Sequence, residues 1–236
     1  MNIIVTGASK GIGREMVKLL AADGHRVMVI SRNEKLLLTL CTECNKNTAE
    51  DRVYAFPFDL EDIGNKKEDF LSKIQDKFNH IDILINNAGS LTNTAFESIH
   101  PEEIKRTLGV NYLAPLLSIQ VLLPLLLKSK HAHVVNIGTM GGVQGSSKFP
   151  GLSIYSSSKA ALATLTECLA EEYKEANISF NYLALGAVQT EMLEEAFPGY
   201  EAPLSALEMA EFISKFALDG YKYFNGKILP VSSSTP

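Results

Sequence analysis

The sequence predicts an α/β fold, a doubly wound parallel sheet of seven strands with helices on both faces. Three observations carry this. Short β-branched apolar runs alternate with longer helical patterns, the signature of βαβ units. The first run leads straight into a glycine-rich turn, TGASKGIG at 6–13, which opens a helix. The chain has 236 residues, 46% of them hydrophobic, enough for one sizeable core, and no linker, repeat or charge run divides it. One domain over 1–236 is therefore expected. Right-handed crossovers put its ligand cleft beyond the carboxyl ends of the strands.

Taken in order, NIIVT at 2–6, RVMVIS at 26–31, RVYAFPF at 52–58, IDILIN at 81–86, AHVVNIG at 132–138, ISFNYLAL at 178–185 and KILPV at 227–231 read as strands. The segment at 13–24 reads as a helix because Met16, Val17, Leu19 and Leu20 form an apolar stripe and Gly24 supplies a left-handed stop. Further helices are expected over 33–47, 66–78, 110–129, from Tyr155 onward, and over 205–218. Pro115 and Pro124 are expected to kink or break the long apolar segment. The tail VSSSTP reads as loosely held.

A net charge of −5, a pI near 5.6 and the lack of any block of Lys or Arg argue against nucleic acid or an anionic membrane as partner. A small molecule fits better. The longest apolar run, VLLPLLL at 121–127, is far short of the ~20 residues that span a bilayer. With an apolar strand at its start and no targeting segment, the protein is expected to be cytoplasmic. Cys41 and Cys44 form a CxxC with no second pair or nearby histidine, so they read as one surface and one core residue of a helix. His131 and His133 are similarly isolated, and no metal is expected.

The glycine turn carries the first chemistry. Gly7, Gly11 and Gly13 allow a tight turn and a close approach of backbone to ligand, and the helix N-terminus offers free N–H groups to a pyrophosphate. A dinucleotide is the natural occupant, although the spacing GxxxGxG differs from the commoner GxGxxG. Farther on, YSSSK sets Tyr155 and Lys159 four residues apart, on one face if the stretch is helical. Such a pair is either a solvated helix face or an acid with a built-in pKa modifier.

TGASKGIG, NNAG at 86–89, Asn111 and YSSSK, in this order, together resemble the short-chain dehydrogenase/reductase family, in particular its 3-oxoacyl-carrier-protein-reductase-like branch. The matches run from Thr6 to Met192. The resemblance implies a Rossmann-type sheet of order 3-2-1-4-5-6-7 and hydride transfer between a nicotinamide and a carbonyl or alcohol. It also implies a catalytic set of Asn111, Thr139, Tyr155 and Lys159, in which Lys159 holds the nicotinamide ribose and Asn111 sits at a helix irregularity. Reducing a ketone leaves an alkoxide that needs a proton, and a free tyrosine with pKa near 10 holds its proton tightly. An ammonium ~4 Å away contributes about 4 kcal/mol at an effective dielectric of 20, enough to bring the phenol near 7.

Thr139 departs from the family pattern, which has serine there and a shorter path to the tyrosine; an insertion in GGVQGSSKFPGLSI explains the longer spacing. Threonine keeps the hydroxyl but stiffens χ1, and Ser146, Ser147 and Ser153 are rival donors. By resemblance, Ser9, Lys10 and Ile12 join the glycines around the pyrophosphate, Asp59 and Leu60 meet the adenine, and Asn87, Ala88 and Gly89 lie beside its ribose. Gly186, Val188 and Thr190 match the carboxamide-binding segment, with Leu185 where proline is common. The second strand ends in Ser31, Arg32 and Asn33 with no carboxylate, and Lys10 lies in the glycine turn, so NADP (NADPH) is favoured over NAD. A 3-oxoacyl thioester, a sugar-like ketone, a steroid and an aromatic aldehyde fit these residues equally as substrate. The apolar segment 112–127 and the Tyr155 helix point to a homo-oligomer, dimer or tetramer. The alternatives are a non-catalytic NADP-binding sensor or interaction protein on the same fold, and an isomerase or dehydratase of the extended branch.

Overall fold

In the computed structural model, which describes residues 1–46 and 48–232, the strands are β1 (Asn2–Thr6), β2 (Arg26–Ser31), β3 (Val53–Pro57), β4 (Ile83–Asn86), β5 (Ala132–Thr139), β6 (Ile178–Leu185), β7 (Val188–Gln189), β8 (Leu204–Ser205) and β9 (Lys227–Val231). Asn47 and residues 233–236, the larger part of the tail read as loosely held, lie outside the described residues. Seven strands form one sheet in the order β3-β2-β1-β4-β5-β6-β9, every pair parallel. This is the expected Rossmann-type order, with β9 as the seventh strand; the unexpected β7 and β8 pair separately as a short ribbon.

Alternation along each strand divides the core between two faces. Ile3, Val5, Val27 and Val29 pack with Met16, Leu20, Met209 and Ile213 of α1 (Gly11–Ala22) and α8 (Ala206–Asp219). On the other side, Ile4, Ile30 and Leu84 meet Phe70 of α3 (Lys67–Gln75) and Leu122 of α5 (Ala114–Leu126). The helix α2 (Glu34–Asn45) brings both Cys41 and Cys44 half-buried against the first face, which corrects the surface-and-core reading. Burial raises both thiols, Cys41 to about 11, so neither is a ready nucleophile.

Two helices escape sequence reading, α4 (Pro101–Leu108) and the short α7 (Glu191–Ala196). Pro101 at the start of α4, with Glu102 and Glu103 in its first turn, is the signal that could have found it. A π-helical turn, Gly109–Leu113, joins α4 to α5, so Pro101–Leu126 is one helical stretch of 26 residues. Neither proline breaks it as expected. Pro115 occupies the first turn of α5, and α5 runs past Pro124 to Leu126. By length and composition this stretch could cross a membrane, which the run at 121–127 alone did not reveal; 44% of its most apolar window is buried inside the protein.

His133 on β5 is buried, its Nδ1 2.9 Å from the Ala217 carbonyl and its Nε2 3.0 Å from Asn181 Nδ2. These partners fix the tautomer: Nδ1–H donates to the carbonyl and Nε2 accepts from the amide. Desolvation pushes its pKa down to about 4.

Candidate active site

The strand order reverses beside β1, whose neighbours are β2 and β4, and a cavity of about 880 Å³ opens there at the carboxyl ends of the strands. Its glycine-turn wall is made of Gly7, Ser9, Lys10, Gly11 and Ile12. Gly7 and Gly11 have φ of 66° and 57°, the left-handed region that glycine alone enters without strain. A Cβ on Gly7 would fall 2.7 Å from Ala88 Cα. Gly13 does not line the cavity. Its hydrogen faces the Gly7 carbonyl, where a Cβ would come within 2.4 Å, so it serves the packing of α1 against the turn rather than direct contact.

Thr6 ties this turn to the end of β4. Its Oγ1 accepts from the N–H groups of Asn87 and Ala88, both at 3.0 Å, while Asn87 Nδ2 donates to the carbonyls of Thr6 and Gly7 at 3.0 and 3.2 Å. Asn87, Ala88 and Gly89 all line the cavity, but the Asn87 amide is spent on holding the two loops together. At the outer end lie Arg32, Asp59 and Leu60. Asp59 stands two residues past β3, and its carboxylate accepts the Glu61 N–H at 3.2 Å. Lys10 pairs with Glu195 of α7 at 3.3 Å, both exposed; among the described residues Arg32 has no ion-pair partner.

The helix α6 (Ser153–Glu172) brings Tyr155 and Lys159 to the cavity on one face, as their spacing predicts. Lys159 is buried and its Nζ donates to the Ile137 carbonyl on β5 at 2.8 Å. Asn111 lies one layer back, fully buried in the π turn. Its Nδ2 donates to the Ser90 carbonyl at 2.9 Å and to Ser158 Oγ at 3.0 Å, and its Oδ1 accepts the Ser90 N–H at 2.8 Å. Asn111 thus clamps the loop after β4 to α6. Gly89 completes this corner: a Cβ there would be 3.6 Å from Asn111 Oδ1 and 3.9 Å from Lys159 Nζ.

The electrostatics differ from the expectation that Lys159 brings the phenol near 7. Burial pushes Tyr155 up to about 12 and Lys159 down to about 8. Desolvation disfavours the charged form of each, and the ammonium is engaged by a carbonyl of β5.

Thr139 ends β5 and lines the cavity. Its Oγ1 accepts the Gly141 N–H at 3.4 Å, and its own N–H donates to the Tyr182 hydroxyl at 3.1 Å. The Tyr182 ring crosses directly over Gly138, where a Cβ would overlap it at 1.7 Å. Tyr182 therefore fixes the threonine from behind, a coupling between strands that no local motif announces. The rival serines do not line the cavity. Ser146 Oγ donates to the Met140 and Val143 carbonyls, and Lys148 Nζ folds back on Val143 and Ser146.

Gly186, Val188 and Thr190 also line the cavity, and Thr190 Oγ1 caps α7 by accepting from Leu193 N–H at 3.3 Å. Leu185 needs no proline to fix it. It is buried between Thr139 and Val231 in the sheet register, and the Gly186 N–H donates to the Val231 carbonyl at 2.9 Å. A dinucleotide fits these residues: a backbone cradle at a helix N-terminus without a side-chain cap, cations at the rim and an ammonium at the inner end. Around that inner end a threonine hydroxyl and a phenol converge, the donors a reacting oxygen requires. Among the described residues no group of three or more His, Cys, Asp or Glu side chains gathers as a metal site.

Comparison with known proteins agrees with this architecture. Residues 1–201 match the model of the short chain dehydrogenase family. The mouse dehydrogenase/reductase SDR family member 7B is 31% identical over 87% of this chain, which spans 63% of that protein's length. The fatty acyl-CoA reductase of Acinetobacter baylyi is 31% identical over 89% of the chain and 70% of its own. Among solved structures, a short chain dehydrogenase of Shigella flexneri complexed with NADP superposes with a TM-score of 0.88 at 27% identity, covering 97% of this chain and 95% of the other. The family match over most of the sequence, on a sheet of the same order, places the chain in the short chain dehydrogenase family of oxidoreductases.

Proposed function

We propose that the protein is an NADP-dependent oxidoreductase that transfers a hydride between the nicotinamide and a carbonyl or secondary alcohol, with Tyr155 as general acid/base. The observation that carries this reading is the convergence of Thr139, Tyr155 and Lys159 at the inner end of one cavity whose other wall is the glycine turn. When bound, the nicotinamide supplies or accepts the hydride. Gly7, Ser9, Lys10, Gly11 and Ile12 cradle its pyrophosphate with backbone N–H groups, and Gly13 holds the helix close behind them. Asp59 and Leu60 flank the adenine, Asn87, Ala88 and Gly89 border the adenosine ribose, and Gly186, Val188 and Thr190 face the carboxamide. Arg32, without a carboxylate beside it on β2, meets a 2′-phosphate, and the bound NADP of the Shigella structure supports the same choice.

Thr139 Oγ1–H donates to the substrate oxygen and steadies charge developing there. Tyr155, raised to about 12, stands protonated at neutral pH and releases its proton only to a stronger base, which an alkoxide is. Lys159 bridges Ile137 and the ribose, and Asn111 keeps α6 in register with the loop at Ser90. Against a non-catalytic sensor on the same fold, Thr139 lines the cavity and keeps a hydroxyl, and Leu185 is held in the sheet between Thr139 and Val231. The protein acts as a dimer or tetramer in this reading, through α5 and α6; Leu113 and Leu127, which flank α5 at its two ends, stay 48% and 44% exposed. NADPH and NADH oxidation measured against a panel of ketones and aldehydes tests it; turnover of none, with tight NADPH binding, would overturn the enzyme in favour of the sensor.

A further inference from the structure

The charged groups that line the cavity are unevenly placed. Arg32 and Asp59 lie just past the ends of β2 and β3, and Arg106 comes from α4, three residues before Gly109, where a Cβ would be 2.8 Å from Glu61 Oε1. Lys10 belongs to the glycine turn, and Glu191 Oε2 lies 3.5 Å from where a Gly11 Cβ would be. Lys159 is at the reaction centre. Beyond Thr139 and Tyr155 the wall changes character: Met140, Phe149 and Leu152 come from the β5–α6 connection, and Leu193, Phe197 and Tyr200 from α7 and its exit. Asn93 binds these segments together, donating from Nδ2 to the Ala196 carbonyl at 3.1 Å and lying against Gly151.

Two features of this end ask for an apolar occupant. Phe149 and Tyr200 line the cavity yet are 55% and 49% exposed, so their rings stay wet unless a ligand covers them. The segment 190–203, which supplies Leu193, Phe197 and Tyr200 to this wall, carries Glu191, Glu194, Glu195 and Glu201 and no lysine or arginine. The nearest loop cation, Lys148, is turned onto its own backbone. An anionic handle would meet mostly like charge here, since Lys10 is already paired with Glu195, and a polyhydroxylated one would leave its hydroxyls against aromatic and aliphatic walls.

We propose that the substrate is an uncharged carbonyl compound bearing an extended apolar group, its oxygen at Thr139 and Tyr155 and its tail beneath α7 against Phe149 and Leu193. This rests on the oxidoreductase reading above. In reduction, a hydride passes from the reduced nicotinamide to the carbonyl carbon, the C=O π pair becomes an oxygen lone pair that takes the Tyr155 proton, and the products are an alcohol and the oxidised cofactor. Solvent returns the proton to Tyr155.

The test is a homologous series from 2-butanone to 2-decanone, with phenyl ketones as the aromatic arm and 9-oxodecanoate as the anionic one. With NADPH, kcat/KM should climb roughly fourfold per added methylene until the tail fills the cavity, and the keto acid should fall well below 2-decanone. Calorimetric Kd values for the same ketones should follow the same slope, and Leu193→Asp should flatten it. A flat series, or preference for the keto acid or a sugar ketone, overturns the inference. If no carbonyl is turned over, hydride transfer itself fails, and the Kd series still decides whether this end takes apolar chains.

Discussion

Lys159 Nζ reaches the Ile137 carbonyl at 2.8 Å, two residues before Thr139 on the same strand. One hydrogen bond thus locks the helix that carries Tyr155 to the strand that carries Thr139. Burial moves Tyr155 up and Lys159 down, each toward its neutral form. The same bond ties the position of Tyr155 on α6 to that of Thr139 on β5.

Tyr155→Phe should therefore lower turnover by roughly 10²–10⁴-fold, the usual worth of a general acid, with NADPH affinity changed by no more than several-fold. The ring still packs on α6 and only the proton is lost. Initial rates of NADPH oxidation, paired with a fluorescence titration of the cofactor, check it. Affinity falling in step with activity would mark a structural tyrosine instead.

Thr139 is the site residue that departs from the pattern the family resemblance implies. Thr139 lines the cavity, while Ser146 does not and its hydroxyl is bound to backbone carbonyls. Thr139→Ala should cost about 10²-fold or more in kcat, the loss expected for a donor aimed at transition-state charge, and Thr139→Ser should keep most activity. Ser146→Ala should leave kcat near the parent value. A silent Thr139→Ala would transfer the role elsewhere.

Among the described residues Arg32, just past β2, has no ion-pair partner, whereas Lys10 pairs with Glu195. Arg32→Asp should lower the preference for NADPH over NADH by about tenfold or more, the worth of a charge-assisted phosphate contact of roughly 1.5–3 kcal/mol. The ratio of kcat/KM for the two cofactors is the measurement. Equal use of both by the parent protein would place Arg32 in solvent.

What was legible in the sequence was what is local. Seven apolar runs bounded by turns gave the main sheet, and a glycine turn or a Tyr–Lys pair is complete within eight residues or five. The Tyr182 ring over Gly138 and the Lys159 bond to Ile137 depend on register between segments far apart in sequence and had no local signal, whereas the helix irregularity at Asn111, found as the π turn, was expected through the family resemblance alone. α7 is too short for a period to show, and α4 too charged to read as core-facing. The upward shift of Tyr155 was not legible because charge separation can be estimated from spacing, whereas burial is a tertiary property.

His133 should make the protein acid-sensitive in a defined window. Its imidazole is held neutral between the Ala217 carbonyl and the Asn181 amide, with a folded pKa near 4 against an ordinary 6.5. Between those values the unfolded chain binds more protons than the folded one, so stability rises with pH across the window. The neutral histidine's contribution is complete above about pH 6.5 and is lost as pH falls toward 4, a change of roughly 3 kcal/mol. His25 and His131 are lowered as well and add slope of the same sign. Denaturant unfolding at pH 4.5 and 7.5 should show the difference. In His133→Gln, which is less stable at both pH values because it fits neither partner well, the difference should shrink to what the other groups supply. An unchanged pH dependence in that variant would mean that the acid sensitivity arises outside the β5–α8 contact.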